Sequence, residues 1–507
     1  MNRDIAQKLA SEKRRITKRL KDAVQPNEGG PIISGRNIQY EVADKVRGIA
    51  HGGIGAIHRM VNSLGLAASL DARLKRLKVH HPNHESDHVL NIAYNAVCGG
   101  RTLDDIELRR NDRNFLDAIG ARSIPDPTTE GDFCRRFTEA DVKTVMDVAN
   151  ETRLTVWQRQ PASFTAGPAI IEADGTIVET TGECKEGMDI SYDGKWGYHP
   201  LLVSLANTGE PLFIVNRSGN RPSHEGVVPY FDEAIALCRR GGFKDVHLRG
   251  DTDFSITTEF DRWDEEGVTF YFGFDARSGL VRIAEGLPNE IYRELEQRAE
   301  RVLATEPRTR PENVKDRVVR ERGFRTLRPN GEDVVEFEYQ PRKCLKTYRV
   351  VALRKNITVT QGDTALFDEI RYFFYITNDK KCRADDVVQQ ARQRCNQENL
   401  IQQLKGGVRA LHAPLNTLVA NAAYMVMSGL AWSLKVWAAL LLPISPRWKD
   451  QHIQERETLL RMEFRTFINA VINIPAQIIT AGRRIIYRLL AWSPYERILF
   501  RLLDATS

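Results

Sequence analysis

Up to about residue 165, apolar residues recur every three or four positions, as in Ile57, Met60, Val61 and Leu64 and again in Leu90, Ile92, Ala93, Ala96 and Val97. That is the period of amphipathic helices. The polar turn Pro125-Asp126-Pro127-Thr128-Thr129 predicts the capped start of a helix carrying Phe133, Arg135, Arg136 and Phe137. After Gly167-Pro168 the runs shorten to strands over 169–173, 198–205 and 211–216, with Asp174 closing the first. A helix at about 227–240 follows, then a strand over 244–249 that leads to Asp251, a helix through 257–265 and a strand over 268–274. Three strands, helix, strand, helix, strand is a mixed α/β order. Arginine-rich sequence and alternating strands such as 334–339 and 347–351 predict an inserted β-rich domain over 276–370. The core resumes with a strand at 371–376, and Asp385 or Asp386 opens a helix that runs past Lys405. Beyond Gly406-Gly407 the pattern is helical to the end, broken at Pro443 and Pro446, with a basic amphipathic tail holding Arg483, Arg484, Arg488, Arg497 and Arg501. The divisions are 1–165, 166–275, 276–370, 371–407 and 408–507.

A chain of 507 residues exceeds the ~250–300 that one hydrophobic core supports, so several domains are expected. Hydrophobic content of 42% with 28% charged residues excludes fibrous and disordered classes. The net charge of +6 permits a nucleic-acid partner without requiring one. Seven scattered cysteines with no C-x-x-C spacing argue against a disulfide scaffold or a zinc ribbon, and a reducing cytoplasm is expected. Residues 1–22 carry eight Lys/Arg against three Asp/Glu and no apolar stretch of the kind a signal peptide needs. They read as a DNA-ordered arm or a frayed end. The most apolar stretch, 415–442, contains Asn416, Asn421, Ser428, Ser433 and Lys435, which favours a buried helix over a membrane span. Gly52-Gly53-Ile54-Gly55 lacks the Lys-Ser/Thr of a phosphate loop, and the cluster His80, His81, His84, His88 lacks partner ligands for zinc. Cys395 has no histidine base in view and reads as packed.

Three acids draw attention. Asp174, in Glu172-Ala173-Asp174-Gly175-Thr176, is either the tip of a hairpin or a carboxylate at a strand end. Asp251, in Arg249-Gly250-Asp251-Thr252-Asp253, is either a helix cap or a second such carboxylate. Carboxylates from strand ends of one sheet suit a divalent cation. Glu398 is the third candidate. Counted at about 100° per residue along one helix, Arg394, Glu398 and Lys405 share a narrow face; a plain i,i+4 surface ion pair of Arg394 with Glu398 is the competing account.

Taken together, an acid after the first strand, an acid after the fourth, a strand-rich insertion and a helix bearing R-x3-E-x6-K resemble the bacterial DDE insertion-sequence transposases. Arg394, Glu398 and Lys405 match the last three positions of that group's Y-x2-R-x3-E-x6-K pattern, and Ala391 stands where its tyrosine would be. Tyr375-Ile376-Thr377-Asn378 is similar to the strand and Thr-Asn turn before that helix. The stretches 194–202 and 216–223 are similar to the insertion-sequence family numbered thirteen-eighty. The resemblance covers most of 170–407.

It implies an α/β ribonuclease-H-like catalytic core, a mixed sheet with flanking helices, interrupted by a β-rich insertion domain and bounded by helical N- and C-terminal domains. It further implies a transposase that binds terminal inverted repeats, cleaves the element ends and joins the 3′ hydroxyl to target DNA by two-metal-ion phosphoryl transfer. Asp174, Asp251 and Glu398 would be the catalytic acids and the ligands of two Mg²⁺ ions, or of Mn²⁺ in their place. Arg394 and Lys405 would hold phosphates, and His199, Arg217 and Arg221, within the similar stretches, would contact DNA. Trp263 is either a wedge stacking on an extruded base or core. Arg135 and Arg136 belong to a small helical DNA-binding module or are solvated surface charges. The segment 301–330, with nine Lys/Arg against four Asp/Glu, suits backbone contact with DNA or simple solvation. Partners expected are double-stranded DNA, as inverted repeats and target, and a second copy of the chain on DNA, contacted through the C-terminal helices; no membrane is expected. The location expected is cytoplasmic, at the nucleoid. The alternative is a catalytically silent or domesticated DNA-binding protein of the same fold. Glycoside hydrolysis by the carboxylates is disfavoured by the basic flank of Glu398.

Overall fold

The computed structural model describes residues 3–22, 39, 46–78, 82–295, 317–318, 321–322, 325–361, 364–393, 395–482, 484–490 and 492–506. Arg394, Arg483, His80, His81 and most of the basic segment 301–330 lie outside the described residues. The helices that bear on the site are α1 (Glu139–Gln158), α2 (Val227–Arg240), α3 (Ala384–Arg392), α4 (Cys395–Gln402) and α5 (Leu418–Leu440).

Capping defines the N-terminal helices as the polar turns predict. The Asp126 carboxylate accepts from the Thr129 N–H at 3.0 Å at the start of helix Pro127–Arg135, with Pro127 in the first turn. At the start of α1, Thr138 and Asp141 cap each other reciprocally. His88, from the histidine cluster, is buried against Glu130 at 3.0 Å and stacks on Phe133.

α5 explains why the chain's two helical ends form one layer. It is apolar on all sides and long enough to cross a membrane by length and composition, yet its most apolar window is wholly buried inside the protein. It packs on α1, on helix Glu85–Val97 and on the edge of the central sheet. The N- and C-terminal helical regions are thus wrapped around a shared helix, and α5 is consumed inside one copy of the chain instead of being offered to a second. The C-terminal stretch is not helical throughout. Ala476–Ala481 and Arg484–Leu489 pair as a hairpin that also captures Gly48–Ile49. The isoleucines and threonine of this stretch suit a pleated surface better than a helix, and Gly482 supplies the left-handed turn at φ 59°.

The central sheet has nine strands: β1 (Ala169–Gly175), β2 (Leu201–Leu205), β3 (Glu210–Val215), β4 (Val246–Gly250), β5 (Val268–Phe274), β6 (Arg293–Glu294), β7 (Arg325–Tyr339), β8 (Tyr348–Gln361) and β9 (Thr364–Thr377), in the order β6-β7-β8-β9-β5-β4-β1-β2-β3. β1 to β3 form an antiparallel meander, β4 lies parallel to β1, and β5 lies parallel to β4. This is the predicted mixed sheet, with α2 between β3 and β4.

The β-rich insertion is not a separate body. Its strands β7, β8 and β9 continue the same sheet, and β9 pairs with β5 through residues 374–377 while its earlier residues extend with β8. The expected boundary at 370/371 therefore falls inside one strand. The acidic pair Asp368 and Glu369 interrupts the apolar run and disguises its continuity. Asn378, just past β9, clasps β5 by donating to the Val268 carbonyl at 2.9 Å and accepting from the Phe270 N–H at 3.0 Å.

At the β3 edge a buried network ties sheet to helices. Glu210 accepts from Arg153 at 2.9 Å, from the Trp157 and Trp437 indoles at 3.0 Å each and from the Thr208 hydroxyl at 2.6 Å. Arg153, 1% exposed, also donates to the Pro211 carbonyl at 2.7 Å and to Asn150. All polar atoms drawn on here are matched, as burial demands.

Candidate active site

β1 and β4 lie in parallel register, with Glu172 opposite Arg249. Asp174, near the end of β1, and Asp251, the residue after β4, each stand two residues beyond that last pair, at the carboxyl ends of adjacent strands. Strands sit about 4.8 Å apart and side chains alternate with period two, so both acids project from the face that carries Glu172 and Arg249. Asp174 is still within β1, opposite Leu202 of β2, which excludes a hairpin tip there. Asp251 keeps extended backbone (φ −80°, ψ −167°) and also caps the short turn Thr252–Phe254, accepting from the Asp253 N–H at 3.0 Å. Cap and strand-end carboxylate are one residue. Both acids are half-buried.

Glycine at 175 is a packing requirement. A Cβ there would stand 2.6 Å from His199 Nε2 and 3.1 Å from Ser223 Oγ. His199, 5% exposed, has Nδ1 2.6 Å from the Arg221 carbonyl. A carbonyl only accepts, so Nδ1 carries the proton and Nε2 keeps its lone pair. Burial lowers the imidazole's pKa, with the Arg221 contact opposing.

Under the acids lies a buried ion pair. Arg249 and Glu172 meet at 2.6 Å, each side chain 2% exposed. The free edge of the guanidinium donates from Nη1 to the Gln390 carbonyl at 3.1 Å and to Gln393 Oε1 at 3.2 Å, at the end of α3. In α4 the residue facing the sheet is Gln397, which donates to the Leu202 carbonyl at 3.3 Å and accepts from the Ser204 hydroxyl. Glu398, one residue on, is exposed. Lys405 is half-buried and donates to the Ile177 carbonyl at 2.7 Å. Burial lowers its pKa, Lys195 adds to that, and Glu179 and Asp174 oppose it, which puts Lys405 within electrostatic reach of the first acid.

One uninterrupted helix face does not describe this region. α3 is described to Arg392 and α4 from Cys395, and a π-helical turn spans Gln403–Gly407, so a constant 100° step fails between Glu398 and Lys405. Among the described residues, no three His, Cys, Asp or Glu side chains gather into a group able to hold a metal ion. The chemistry of Asp174 and Asp251, two oxygen donors on rigid strand ends, fits a hard divalent cation. Glu398 does not join them here.

The remaining candidates separate clearly. Arg217 is committed to its own loop: Nε donates to the His199 carbonyl at 3.0 Å, and Nη1 to the carbonyls of Pro222, Ser223 and Glu225 at 3.2, 3.2 and 2.6 Å. Burial brings its pKa down to about 10. In this arrangement its guanidinium holds its own loop together. Arg221 is exposed and paired with Glu225 at 2.6 Å. Trp263 is fully buried between Phe231, Phe260 and Phe272, which corrects the stacking wedge to core. Arg135 pairs with Asp132 at 2.7 Å and donates to Asn416 at 3.2 Å, and Arg136 is exposed on the same helix end. Sequence reasoning passed over the Glu172–Arg249 pair, although a signal exists: opposite charges interrupt two apolar strands at the same distance before the two acids.

Residues 35–506 match the family described as Transposase DDE domain group 1, and the chain belongs to that family. It is a DDE transposase, of a class that cuts and transfers DNA and generally employs divalent metal ions. The match takes in the N-terminal helices and the C-terminal region as well as the central sheet, a wider span than 170–407. The piggyBac transposase synaptic complex with hairpin DNA aligns over 84% of this chain and 81% of that chain, at 9% identity and a TM-score of 0.35. No curated protein matches the chain.

Proposed function

We propose that this chain binds double-stranded DNA at the terminal inverted repeats of its element, cleaves the ends and joins the freed 3′ hydroxyl to target DNA. The observation that carries this reading is the parallel register of β1 and β4, paired as far as Glu172 and Arg249, which puts Asp174 and Asp251 two residues beyond that last pair at the carboxyl ends of adjacent strands, where two carboxylates suit a divalent cation. Mg²⁺, or Mn²⁺, would be held by Asp174 and Asp251; Glu398, which stands apart from them in this arrangement, would complete the set as the third carboxylate only once α4 moves toward the strand ends. Bound there, the ions supply activation of the attacking oxygen and charge relief on the leaving one.

The chain's own groups supply the rest. Lys405, anchored to the Ile177 carbonyl, grips a phosphate beside Asp174, and Arg394 is assigned a second one. His199 offers Nε2 as an acceptor at the rim, its tautomer set by the Arg221 carbonyl. The working unit is a homodimer on DNA, since two ends must be brought together, and the setting is a bacterial cytoplasm at the nucleoid.

Labelled duplexes carrying the DNA that flanks the gene test this. Cleavage should appear with Mg²⁺, stop with chelator, and fall about 10³-fold or more in Asp174→Asn and Asp251→Asn while DNA binding persists. A wild-type chain that shifts these duplexes yet leaves them intact in Mg²⁺ and Mn²⁺ would be the silent binder instead.

A further inference from the structure

We infer that Arg249 is the positioning residue of this site: paired with Glu172, it fixes the spacing of the two acid-bearing strand ends and ties them to the helical segment that carries Glu398. The inference rests on the cleavage reading above.

Stability alone gives little reason for this pair. Both side chains are 2% exposed, and replacing a buried ion pair by apolar groups of similar volume is often neutral or stabilising. Geometry gives a better reason. Glu172 and Arg249 are register partners on the same two strands as the acids, one side-chain layer down on the same face. The bond between them sets the lateral separation that the next layer inherits.

The guanidinium is also used on both edges. Nε and Nη2 take Glu172 Oε1 at 2.6 Å, while Nη1 reaches the Gln390 carbonyl at 3.1 Å and Gln393 Oε1 at 3.2 Å. These last contacts fall where α3 ends, a few residues ahead of α4. A planar fork can serve two directions at once; an ammonium on a flexible stem serves them poorly. Arg249 touches no reacting atom and acts through Asp174, Asp251 and the seating of α4.

The test compares wild type with Arg249→Lys, with the apolar double variant Glu172→Leu/Arg249→Met, and with Asp174→Asn. The readouts are the urea midpoint, DNA affinity, single-turnover cleavage against Mg²⁺ concentration, and Mn²⁺ binding measured calorimetrically without DNA. Both Arg249 variants should bind DNA within about twofold of wild type, cleave about tenfold more slowly or worse, need several times more Mg²⁺ and bind Mn²⁺ more weakly. The double variant should do so at an unchanged urea midpoint, which a purely structural pair would not. A double variant with wild-type cleavage and wild-type Mn²⁺ affinity overturns the inference. If that variant does not fold, Arg249→Lys, which keeps a charge opposite Glu172 but loses the fork that reaches the Gln390 carbonyl and Gln393, decides by the same readouts. Failure of Asp174→Asn to lose cleavage would sink the catalytic reading itself; a dead Asp174→Asn beside unaffected Arg249 variants sinks only the positioning role.

Discussion

Two buried arginine–glutamate pairs sit on one sheet and do different work. At the β3 edge, Arg153 and Glu210 are surrounded by donors from α1, from α5 and from the turn before β3. In the sheet's centre, Arg249 and Glu172 lie under two half-buried acids and hold the end of α3. The first pair joins regions far apart in sequence; the second sets distances inside a site. Identical ion chemistry thus serves cohesion in one place and alignment in the other, and the neighbours decide which.

The sharpest way to break that contrast is Glu210→Leu. It strands a buried guanidinium and two indole N–H groups, and a loss of about 3–5 kcal/mol is expected by urea titration. Cleavage per folded molecule should stay at the wild-type level; a slower rate would mean that cohesion and alignment cannot be separated. Gly175→Ala should come next. Its new methyl would lie 2.6 Å from His199 Nε2, a cost of about 1–3 kcal/mol by thermal melting, with cleavage falling further than the stability loss explains because His199 must move.

Lys435→Met should have the smallest effect, and of opposite sign. Lys435 is fully buried, donates to the Leu460 carbonyl at 2.8 Å and lies 4.0 Å from the Trp432 ring. Burial lowers its pKa from 10.5 to about 7. Between those values the unfolded chain holds the proton more tightly, so this residue's contribution to stability rises with pH across the window and is lost as pH falls through it. The variant should therefore be more stable by about 1 kcal/mol at pH 7, with the gain fading toward pH 10.5. A gain independent of pH would contradict the assignment.

Much of this was legible beforehand because the patterns involved are local. The order β1 to β5, the two acids at strand ends and the Asp126 cap all follow from runs of a few residues. What stayed hidden depends on continuity or on partners. Asp368 and Glu369 split β9 on paper although its backbone pairs without regard to side-chain charge. The face shared by Glu398 and Lys405 assumes one helical phase, and the π-turn between them removes it. Trp263 and Arg217 have the chemistry of DNA contacts, and only tertiary packing reveals that one fills the core and the other folds a loop.

The undivided β9 has a consequence for how this protein can be remodelled. Its last four residues zip to β5, the neighbour of the strand that presents Asp251, while the preceding ten reach outward at about 3.4 Å each. The ribbon is thus a lever whose fulcrum lies one strand from the second acid. It can be trimmed from its tip in matched pairs of residues, but excision at its base would remove the beam along with the handle.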